Sequence, residues 1–474
     1  MSAEVFRYDG YELEHGGRRL VCRYSLGEHR FAEEITFEPE GADAPAEGAD
    51  APAERADAPA DPPPPAALDA AARLVHLLAG VSYYKTAAPR VIDLGDLATT
   101  PAEREFLRIF YVNGLGEFAY RNDLDLSTLE IVGPVLAERA LVALRPREGR
   151  PLVPFGAGID SIVTLESVRK AVASPSLFVV SRGGDRFAAI ERAAAATGLP
   201  VVRASRSIDP AVLRSGAHGF LNGHVPVTGI LSAIAVMAAV LGGHDAVVMA
   251  NERSASVPTI AAGGRPVNHQ WSKSLAFEAP FRALLTATFA PPPAYFSFLR
   301  ARSELWVARR FAALERYHPV FCSCNRVFAI DRARRLDEWC GTCDKCCFID
   351  LVLAPFLPAA ALDAIFGGRE PLRDEALAPR FASLLGTGEG AKPFECVGDE
   401  EECRTAVLLA AAREDRTGYR MLQSLADEVR RASPGASPGA SPDLAARAAR
   451  HFEPLGRDFV PPEYRAAAAS RSEP

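Results

Sequence analysis

The sequence lacks both a hydrophobic run long enough to cross a bilayer and an excess of positive charge. A transmembrane helix needs ~20 consecutive apolar residues. The longest apolar run, Gly229 to Gly243, is shorter and ends at His244 and Asp245, so we predict a buried helix there. Lys and Arg total 53 against 60 Asp and Glu, a net charge of −7. Nucleic acids and anionic membranes favour basic surfaces, so we expect no nucleic-acid partner and no membrane insertion.

The first ten residues, MSAEVFRYDG, also lack the basic and apolar regions of a secretory signal. We therefore expect a cytoplasmic protein. The cysteines are unevenly distributed, because six of the nine lie between Cys322 and Cys347. In a reducing compartment such clustering indicates a metal site more than disulfides.

The chain length of 474 residues predicts roughly three domain-sized units at ~150 residues each. We predict an N-terminal α+β unit over 1–145, a nucleotide-binding domain over 146–300 and a mostly helical C-terminal region over 301–474. Segment 41–66 repeats Ala-Asp-Ala-Pro-Ala, and segment 431–443 repeats Ala-Ser-Pro-Gly. Neither segment has large apolar side chains with which to build a core, so we predict two disordered inserts.

From Leu152 onward, short apolar segments alternate with helical patterns. This alternation predicts an α/β fold with a doubly wound parallel sheet. Ligands of such sheets bind beyond the carboxyl ends of the strands, near a switch in strand order. The predicted elements are strands within 4–40, helices at 68–78 and 101–112, strands at 152–155, 177–180, 200–203 and 246–250, helices from 161, at 186–197 and at 229–241, and a largely helical tail over 354–426.

A glycine-rich segment, Gly156-Ala157-Gly158-Ile159-Asp160-Ser161, connects the strand at 152–155 to the following helix. Two glycines let the backbone approach an anion, and a helix N-terminus offers unpaired N–H groups. Ser161 adds a hydroxyl donor, and Asp160 could position Mg²⁺. No GxxxxGK[ST] or GxGxxG motif is present. An ordinary βα turn capped by Asp160 or Ser161 would fit the same spacing.

This segment resembles the pyrophosphate-binding loop, Ser-Gly-Gly-x-Asp-Ser, of ATP pyrophosphatases with the adenine nucleotide α-hydrolase fold. Gly156 stands where that family has Ser, and Ala157 where it has its first Gly. The resemblance implies that fold and the binding of ATP phosphates by Gly156, Gly158, Asp160 and Ser161, together with Mg²⁺. Enzymes of this group cleave ATP to AMP and pyrophosphate while they adenylylate a substrate oxygen.

A CxxCxxC run forms the centre of the cysteine knuckle at 322–347. Tetrahedral zinc takes four soft ligands, and closely spaced cysteines supply them without strain. The candidate zinc ligands are Cys324, Cys340, Cys343 and Cys346. Cys322 is an alternative fourth ligand, and buried free thiols or an iron–sulfur cluster are the alternatives to zinc. A similar run follows the nucleotide domain in the cyano-deazaguanine synthases, which are ATP pyrophosphatases.

Six further segments together resemble the bacterial UDP-N-acetylmuramoyl-L-alanyl-L-glutamate epimerases, over most of the chain outside the inserts. The segments are Gly80-Val81-Ser82-Tyr83-Tyr84-Lys85, Gly114-Leu115-Gly116-Glu117-Phe118, Asn222-Gly223-His224-Val225-Pro226-Val227-Thr228, Asn251-Glu252-Arg253-Ser254, Asn268-His269-Gln270-Trp271-Ser272-Lys273-Ser274 with Phe277-Glu278, and Lys392-Pro393-Phe394-Glu395-Cys396-Val397-Gly398. The resemblance implies an isomerase of peptidoglycan precursor synthesis. It would invert the terminal L-Glu of the UDP-muramoyl-dipeptide through an acyl-adenylate and release AMP and diphosphate.

Within these segments we select residues whose chemistry suits that reaction. The candidate proton-transfer groups are His224, Glu252, His269 and Cys396, and the candidate cations for phosphate or substrate carboxylates are Arg253, Lys273 and Lys392. A single loop histidine or surface cation is as often structural or solvated. The alternative functions are another ATP pyrophosphatase (cyano-deazaguanine synthase-like, or an amide- or thio-forming ligase) and a non-catalytic nucleotide-binding scaffold.

Overall fold

The computed structural model describes residues 5–39, 62–258, 260–262, 265–329, 331–388, 397–432 and 442–469. The strands are β1 Val5–Glu14, β2 Arg19–Leu26, β3 His29–Phe37, β4 Val91–Asp93, β5 Glu130–Val132, β6 Val142–Ala143, β7 Arg147–Pro154, β8 Ser176–Ser181, β9 Val201–Ser207, β10 His244–Met249, β11 Ile260–Ala262, β12 Arg265–Val267, β13 Phe289–Ala290 and β14 Ala294–Ser297.

The helices occur throughout the chain and dominate its last third. They are α1 Pro65–Ala79, α2 Val81–Tyr84, α3 Pro101–Gly114, α4 Gly116–Arg121, α5 Ile159–Ala171, α6 Ala188–Thr197, α7 Pro210–Leu213, α8 Val227–Gly242, α9 Leu275–Thr286, α10 Glu304–Ala312, α11 Asp344–Leu353, α12 Ala359–Ile365, α13 Ala378–Leu385, α14 Glu400–Ala411, α15 Arg420–Ala432, α16 Pro442–Phe452 and α17 Pro462–Ala469.

Ten of the described strands form one sheet, in the order β14-β10-β7-β8-β9-β3-β2-β1-β4-β5. Strands β14, β10, β7, β8 and β9 are parallel to one another. The antiparallel meander β1–β3 joins this parallel part through an antiparallel pairing of β3 with β9. Strands β4 and β5 extend the sheet parallel to β1. The prediction of an α/β fold with a largely parallel sheet is therefore confirmed.

The order of the parallel strands places a switch point beside β7. The chain runs from β7 to β8 and β9 on one side, and then returns to add β10 and β14 on the other side of β7. In open α/β sheets the usual ligand site is the crevice at the carboxyl ends of two neighbouring strands whose connections run to opposite sides of the sheet. The loops that follow β7 and β10 are therefore the ones placed to bind a ligand.

Helices pack against both faces of the sheet, because successive strand residues point in opposite directions. Val153 and Val248 enter a core that also contains residues of α5, α6, α10 and α11. Their neighbours Leu152 and Val247 enter a second core with residues of α1, α3, α8 and α9. Helix α8 is almost entirely buried, as its apolar sequence predicts. No helix in the described ranges is both long and apolar enough to cross a membrane.

Strands of both predicted units, 1–145 and 146–300, belong to the same sheet, and the domain division stays a prediction. Most of the two predicted inserts falls outside the described residues. Their ends are helical, because α1 begins at Pro65, α15 continues to Ala432 and α16 begins at Pro442. Proline suits the first position of a helix, where its missing N–H would have no partner. The tail predicted to be helical contains α12, α13, α14 and the start of α15.

Candidate active site

The glycine-rich segment forms the turn between β7 and α5, at the switch point. Ala157 has a φ of 62°, a left-handed conformation that favours glycine, and Gly158 is the N-cap of α5. A Cβ atom on Gly158 would lie 2.9 Å from Oγ of Ser323, so a larger residue at this position would require the Ser323 side chain to move. Ser161 Oγ donates a hydrogen bond to the carbonyl oxygen of Gly158 at 2.9 Å. The turn is thus held compact, with α5 beginning directly behind it.

The turn lines a pocket of about 340 Å³ at the carboxyl ends of the central strands. All four residues predicted to bind phosphate contribute to its wall, as do residues of β8, of α6, of the end of β10 and the loop after it, and of the start of α8. The lining residues are Pro154, Phe155, Gly156, Gly158, Asp160, Ser161, Phe178, Val180, Ile190, Thr228, Leu231, Met249, Ala250 and Asn251. The volume falls within the usual range of small-molecule sites.

Acidic groups gather beside this pocket. Glu304, the first residue of α10, is buried, and burial raises its pKa well above the usual range. The carboxylates of Asp160 and Glu252 raise that pKa further. Glu252 is itself buried, and its Oε2 accepts the N–H of Ala255 at 3.1 Å. The structure therefore places the candidate Glu252 among the carboxylates near the glycine-rich turn at 156–161, which we call the phosphate turn after its predicted role.

The two candidate histidines lie next to each other. The ring centroids of His224 and His269 are 4.2 Å apart. His269 Nδ1 is hydrogen-bonded to Oε2 of Glu117, and Arg121 Nε donates to Oε1 of Glu117 at 2.6 Å. One ligand atom from each of Glu117, His224 and His269 lies within 4.8 Å of the others. We refer to these three residues as the Glu–His–His cluster.

Two lysines border the Glu–His–His cluster. Lys85 Nζ donates to Oδ1 of Asn222 at 2.7 Å and to the carbonyl oxygen of Gly223 at 3.1 Å, on the segment that leads to His224. Burial lowers the pKa of Lys85 to about 8. The pKa of His224 is lowered to about 4, mainly by burial, with His269, Lys273 and Lys85 also lowering it and Glu117 acting to raise it. The candidate Lys273 is thus close to the two histidines.

Arg300 links the loop after β10 to the segment that carries His269 and Lys273. This arginine is buried, and its Nε donates to Oε2 of Glu278 at 2.8 Å. Its Nη1 donates to the carbonyl oxygen of Glu252 at 3.2 Å, and its Nη2 donates to that of Lys273. Because one guanidinium binds both backbones, the Glu252 loop and the segment that carries His269 and Lys273 are held at a fixed distance from each other.

The positions of the remaining candidates say less about their roles. The Arg253 side chain is about half exposed and lies 3.7 Å from the carboxylate of Asp399, so its nearest charged partner is an acid of the protein itself. Lys392 and Cys396 fall outside the described residues. Sequence reasoning assigned no role to Glu117, Lys85 or Arg300. The first two lie within segments that carried the family resemblance, which was the available signal.

The four predicted zinc ligands converge on one point. The Sγ atoms of Cys324, Cys340, Cys343 and Cys346 all lie within 4.8 Å of one another and could hold a metal ion. Cys340 Sγ is 3.6 Å from Cys346 Sγ, and Cys343 Sγ is 3.4 Å from Cys346 Sγ. Backbone N–H groups of Thr342 and Cys343 point at Cys340 Sγ, at 3.4 and 3.3 Å. Such N–H groups favour thiolates, the form that binds metal.

Cys322 and Cys347 lie outside this cluster and are buried. Burial raises the pKa of both thiols to about 12, which keeps them protonated and inert. Among the two alternatives for the fourth position, the geometry therefore favours Cys324 over Cys322.

Residues 322–324, which we call the arm, supply Cys324 and also contact the phosphate turn. The N–H of Cys322 donates to the carbonyl oxygen of Ala157 at 3.1 Å. Oγ of Ser323 lies close to Gly158, 2.9 Å from where a Cβ atom on that glycine would be. The cysteine cluster and the phosphate turn are therefore joined through residues 322–324.

Comparison with known proteins places the chain in a family. The sequence model of the MurL N-terminal domain matches residues 1–298, and that of the MurL C-terminal domain matches residues 320–438. Three relatives carry the name UDP-N-acetyl-alpha-D-muramoyl-L-alanyl-L-glutamate epimerase. The protein of a Micromonospora species is 37% identical over 98% of both chains. That of Salinispora tropica is 37% identical over 99% of this chain and 97% of its own, and that of Xanthomonas oryzae pv. oryzae is 43% identical over 73% and 76%. The chain belongs to the MurL family.

Proposed function

We propose that the protein is an ATP-dependent epimerase that converts UDP-MurNAc-L-Ala-L-Glu to the D-Glu epimer, with release of AMP and diphosphate. The observation that carries this proposal is the similarity, over nearly the whole chain, to relatives named as that epimerase. The arrangement of the side chains supports it. Arg300 links the Glu252 loop, which lies near the phosphate turn, to the segment that carries His269.

The role of ATP follows from the acidity of the substrate. The α-proton of glutamate beside a free carboxylate is a very weak acid, since its removal would place a second negative charge next to the first. Attack of the carboxylate oxygen on the α-phosphorus of ATP releases diphosphate and forms an acyl-adenylate, a mixed anhydride. Its carbonyl group carries no charge, so an enolate forms from it far more easily. The proton can then return on the other face, and water releases AMP from the product.

The phosphate turn suits the first half-reaction. Gly156, Gly158 and the N-terminus of α5 would bind the phosphates of ATP, with Ser161 as a hydroxyl donor. Asp160, which lines the pocket, would hold Mg²⁺ on the phosphates. The loop sequence and the switch-point position support assignment of the sheet to the adenine nucleotide α-hydrolase type.

The second half-reaction would use the Glu–His–His cluster. His224 and His269 are the proton-transfer candidates, and Lys273 would attract the carboxylates of the substrate. Zn²⁺ in the four-cysteine cluster would have a structural role, because all four positions of a tetrahedral ion would be filled by sulfur.

The decisive experiment measures both half-reactions with purified protein. The protein should release AMP and diphosphate from ATP only in the presence of UDP-MurNAc-L-Ala-L-Glu, and solvent deuterium should enter the glutamate α-position. Release of ADP, or inversion without deuterium uptake, would contradict the proposal. ATP binding without turnover would instead favour a nucleotide-binding scaffold.

A single variant tests the phosphate turn. Asp160→Ala should lower substrate-dependent AMP formation at least ~100-fold, since the phosphates lose their metal-ion contact. The exposed Asp96, which lies outside the pocket, provides the matched control Asp96→Ala. Wild-type AMP formation by the folded Asp160→Ala protein would remove the phosphate turn from the mechanism.

A further inference from the structure

We propose that Glu117 is a positioning residue that holds His269 as the proton-transferring group of the epimerisation. This inference rests on the proposed function and adds to it a residue in a distant part of the chain. The juxtaposition that carries it is a buried carboxylate with one oxygen on an arginine and the other on the imidazole of His269.

The carboxylate of Glu117 is fixed from both sides. Only 6% of its side chain is exposed. Although burial acts to raise the pKa of Glu117, the hydrogen bond from His269 lowers it below its ordinary value, with Arg121 assisting. An ionised carboxylate accepts the Nδ1–H of His269, which leaves Nε2 of that ring as the basic nitrogen. The His269 side chain is 15% exposed, so a ligand can reach it.

The ring of His224 completes the arrangement. It packs against His269 with centroids 4.2 Å apart. His224 is neutral at neutral pH, because burial lowers its pKa to about 4. A neutral neighbour does not repel the imidazolium that His269 becomes when it takes a proton. Glu117 therefore stabilises that imidazolium without competition from a second positive ring.

The same three side chains could in principle hold a metal ion, but their surroundings favour proton transfer. Both oxygens of Glu117 already accept hydrogen bonds, and the cations Arg121, Lys85 and Lys273 lie around the cluster. A divalent cation would have to displace one hydrogen bond and approach these positive charges. An anionic substrate, in contrast, would be attracted by them.

The proton balance of the step is simple. His269 Nε2 takes the α-proton, and the electrons of the broken C–H bond remain on the activated substrate as an enolate. The resulting imidazolium is paired with the Glu117 carboxylate. A proton from solvent then adds to the opposite face of the α-carbon, and His269 returns its proton to solvent. The product therefore gains one solvent hydrogen for each inversion.

The test separates the two half-reactions in Glu117→Gln, with Glu105→Gln as the control. Glu105 is an exposed acid that pairs with Arg108 on the preceding helix α3. In Glu117→Gln we expect the rate of α-deuterium incorporation to fall 10- to 100-fold, while substrate-dependent AMP formation stays within threefold. The acid limb of the exchange rate should also move to lower pH, because the imidazolium has lost its carboxylate partner. Glu117→Asp, which keeps the charge, should restore that limb and part of the rate.

Several outcomes would overturn the inference. Equal loss of AMP formation and exchange with an unmoved pH limb would assign Glu117 a purely structural role. Loss of a bound divalent metal ion, beyond that of the cysteine cluster, would make the cluster a metal site. If Glu117→Gln does not fold, Glu117→Asp decides by its rates: exchange that slows more than AMP formation supports positioning, and equal losses, or wild-type values for both, contradict it. A wild-type protein that forms no D-Glu refutes the proposed function itself, which distinguishes that failure from a failure of Glu117 alone.

Discussion

Within the described residues, two groups of His, Cys or acidic side chains have ligand atoms within 4.8 Å of one another, and the two groups differ in what surrounds them. In the cysteine cluster, backbone N–H groups point at the sulfur of Cys340. In the Glu–His–His cluster the acid is already shared between Arg121 and His269, and two lysines stand nearby. Convergence of ligand atoms therefore does not by itself define a metal site. The charges and hydrogen bonds around the atoms decide between metal binding and acid–base chemistry.

The largest effect is expected when the cysteine cluster is broken. Cys343→Ser should reduce bound zinc from one ion per chain to none and lower the free energy of unfolding by an amount on the order of 5 kcal/mol, because structural metal binding is coupled to folding. Metal analysis and thermal unfolding measure both. The buried Cys347, outside the cluster, gives the control Cys347→Ala, which should keep its zinc. Full zinc content in Cys343→Ser would show that the cysteine cluster is not the zinc site.

A smaller effect is expected from the protonation of His224. Its folded-state pKa of about 4 lies below the ordinary value of 6.5, so the unfolded chain binds the proton more tightly. The free energy of unfolding should therefore fall as the pH drops from 6.5 towards 4, by about 1 to 3 kcal/mol from this residue. Burial is the largest cause of this low pKa; His269, Lys273 and Lys85 also lower it, and Glu117 acts to raise it.

Denaturant unfolding at pH 7 and pH 5 measures this contribution. In His224→Gln the difference between the two pH values should shrink, because the residue that must be protonated is gone. If a metal ion occupied the cluster instead, zinc addition would protect the wild type at pH 7 and His224→Gln would lose that protection. Such a result would show that the Glu–His–His cluster also binds metal.

The smallest effect is expected at the edge of the Glu–His–His cluster. Arg121 pairs with Glu117 one helical turn away, and its side chain is 51% exposed. Exposed pairs of this spacing contribute about 0.3–0.5 kcal/mol, so Arg121→Gln should lower the exchange rate only about twofold. Steady-state exchange measurements resolve this change. A loss as large as that expected for Glu117→Gln would show that Arg121, and not the carboxylate, organises the imidazole.

Most of the predicted site residues that the structure brings together are local in the chain. The phosphate turn lies within six consecutive positions, 156–161, and all four predicted residues line one pocket. Three of the four clustered cysteines come from one CxxCxxC run. Short spacing restricts the backbone enough that residue type and position together predict the geometry. The α/β alternation was readable for the same reason, since each strand and helix has its own periodicity.

The parts that were missed are formed by long-range contacts. Glu117 and His269 are 152 positions apart in the sequence, and Lys85 and Asn222 are 137 apart. A single glutamate in the short helix α4 carries no periodic signal. The pairing of β3 with β9, which joins the N-terminal strands to the parallel sheet, likewise leaves no local trace. Cys396 and Lys392, which lie outside the described residues, remain predictions.

The arm at residues 322–324 imposes an order on the assembly of the protein. One end of it supplies Cys324 to the cysteine cluster, and the other bonds to Ala157 in the phosphate turn. The turn is therefore complete only after the chain has been synthesised well beyond residue 298, where the first matched domain ends. A fragment that stops there would contain every described strand of the sheet and every residue of the phosphate turn, yet it would lack the segment that braces that turn.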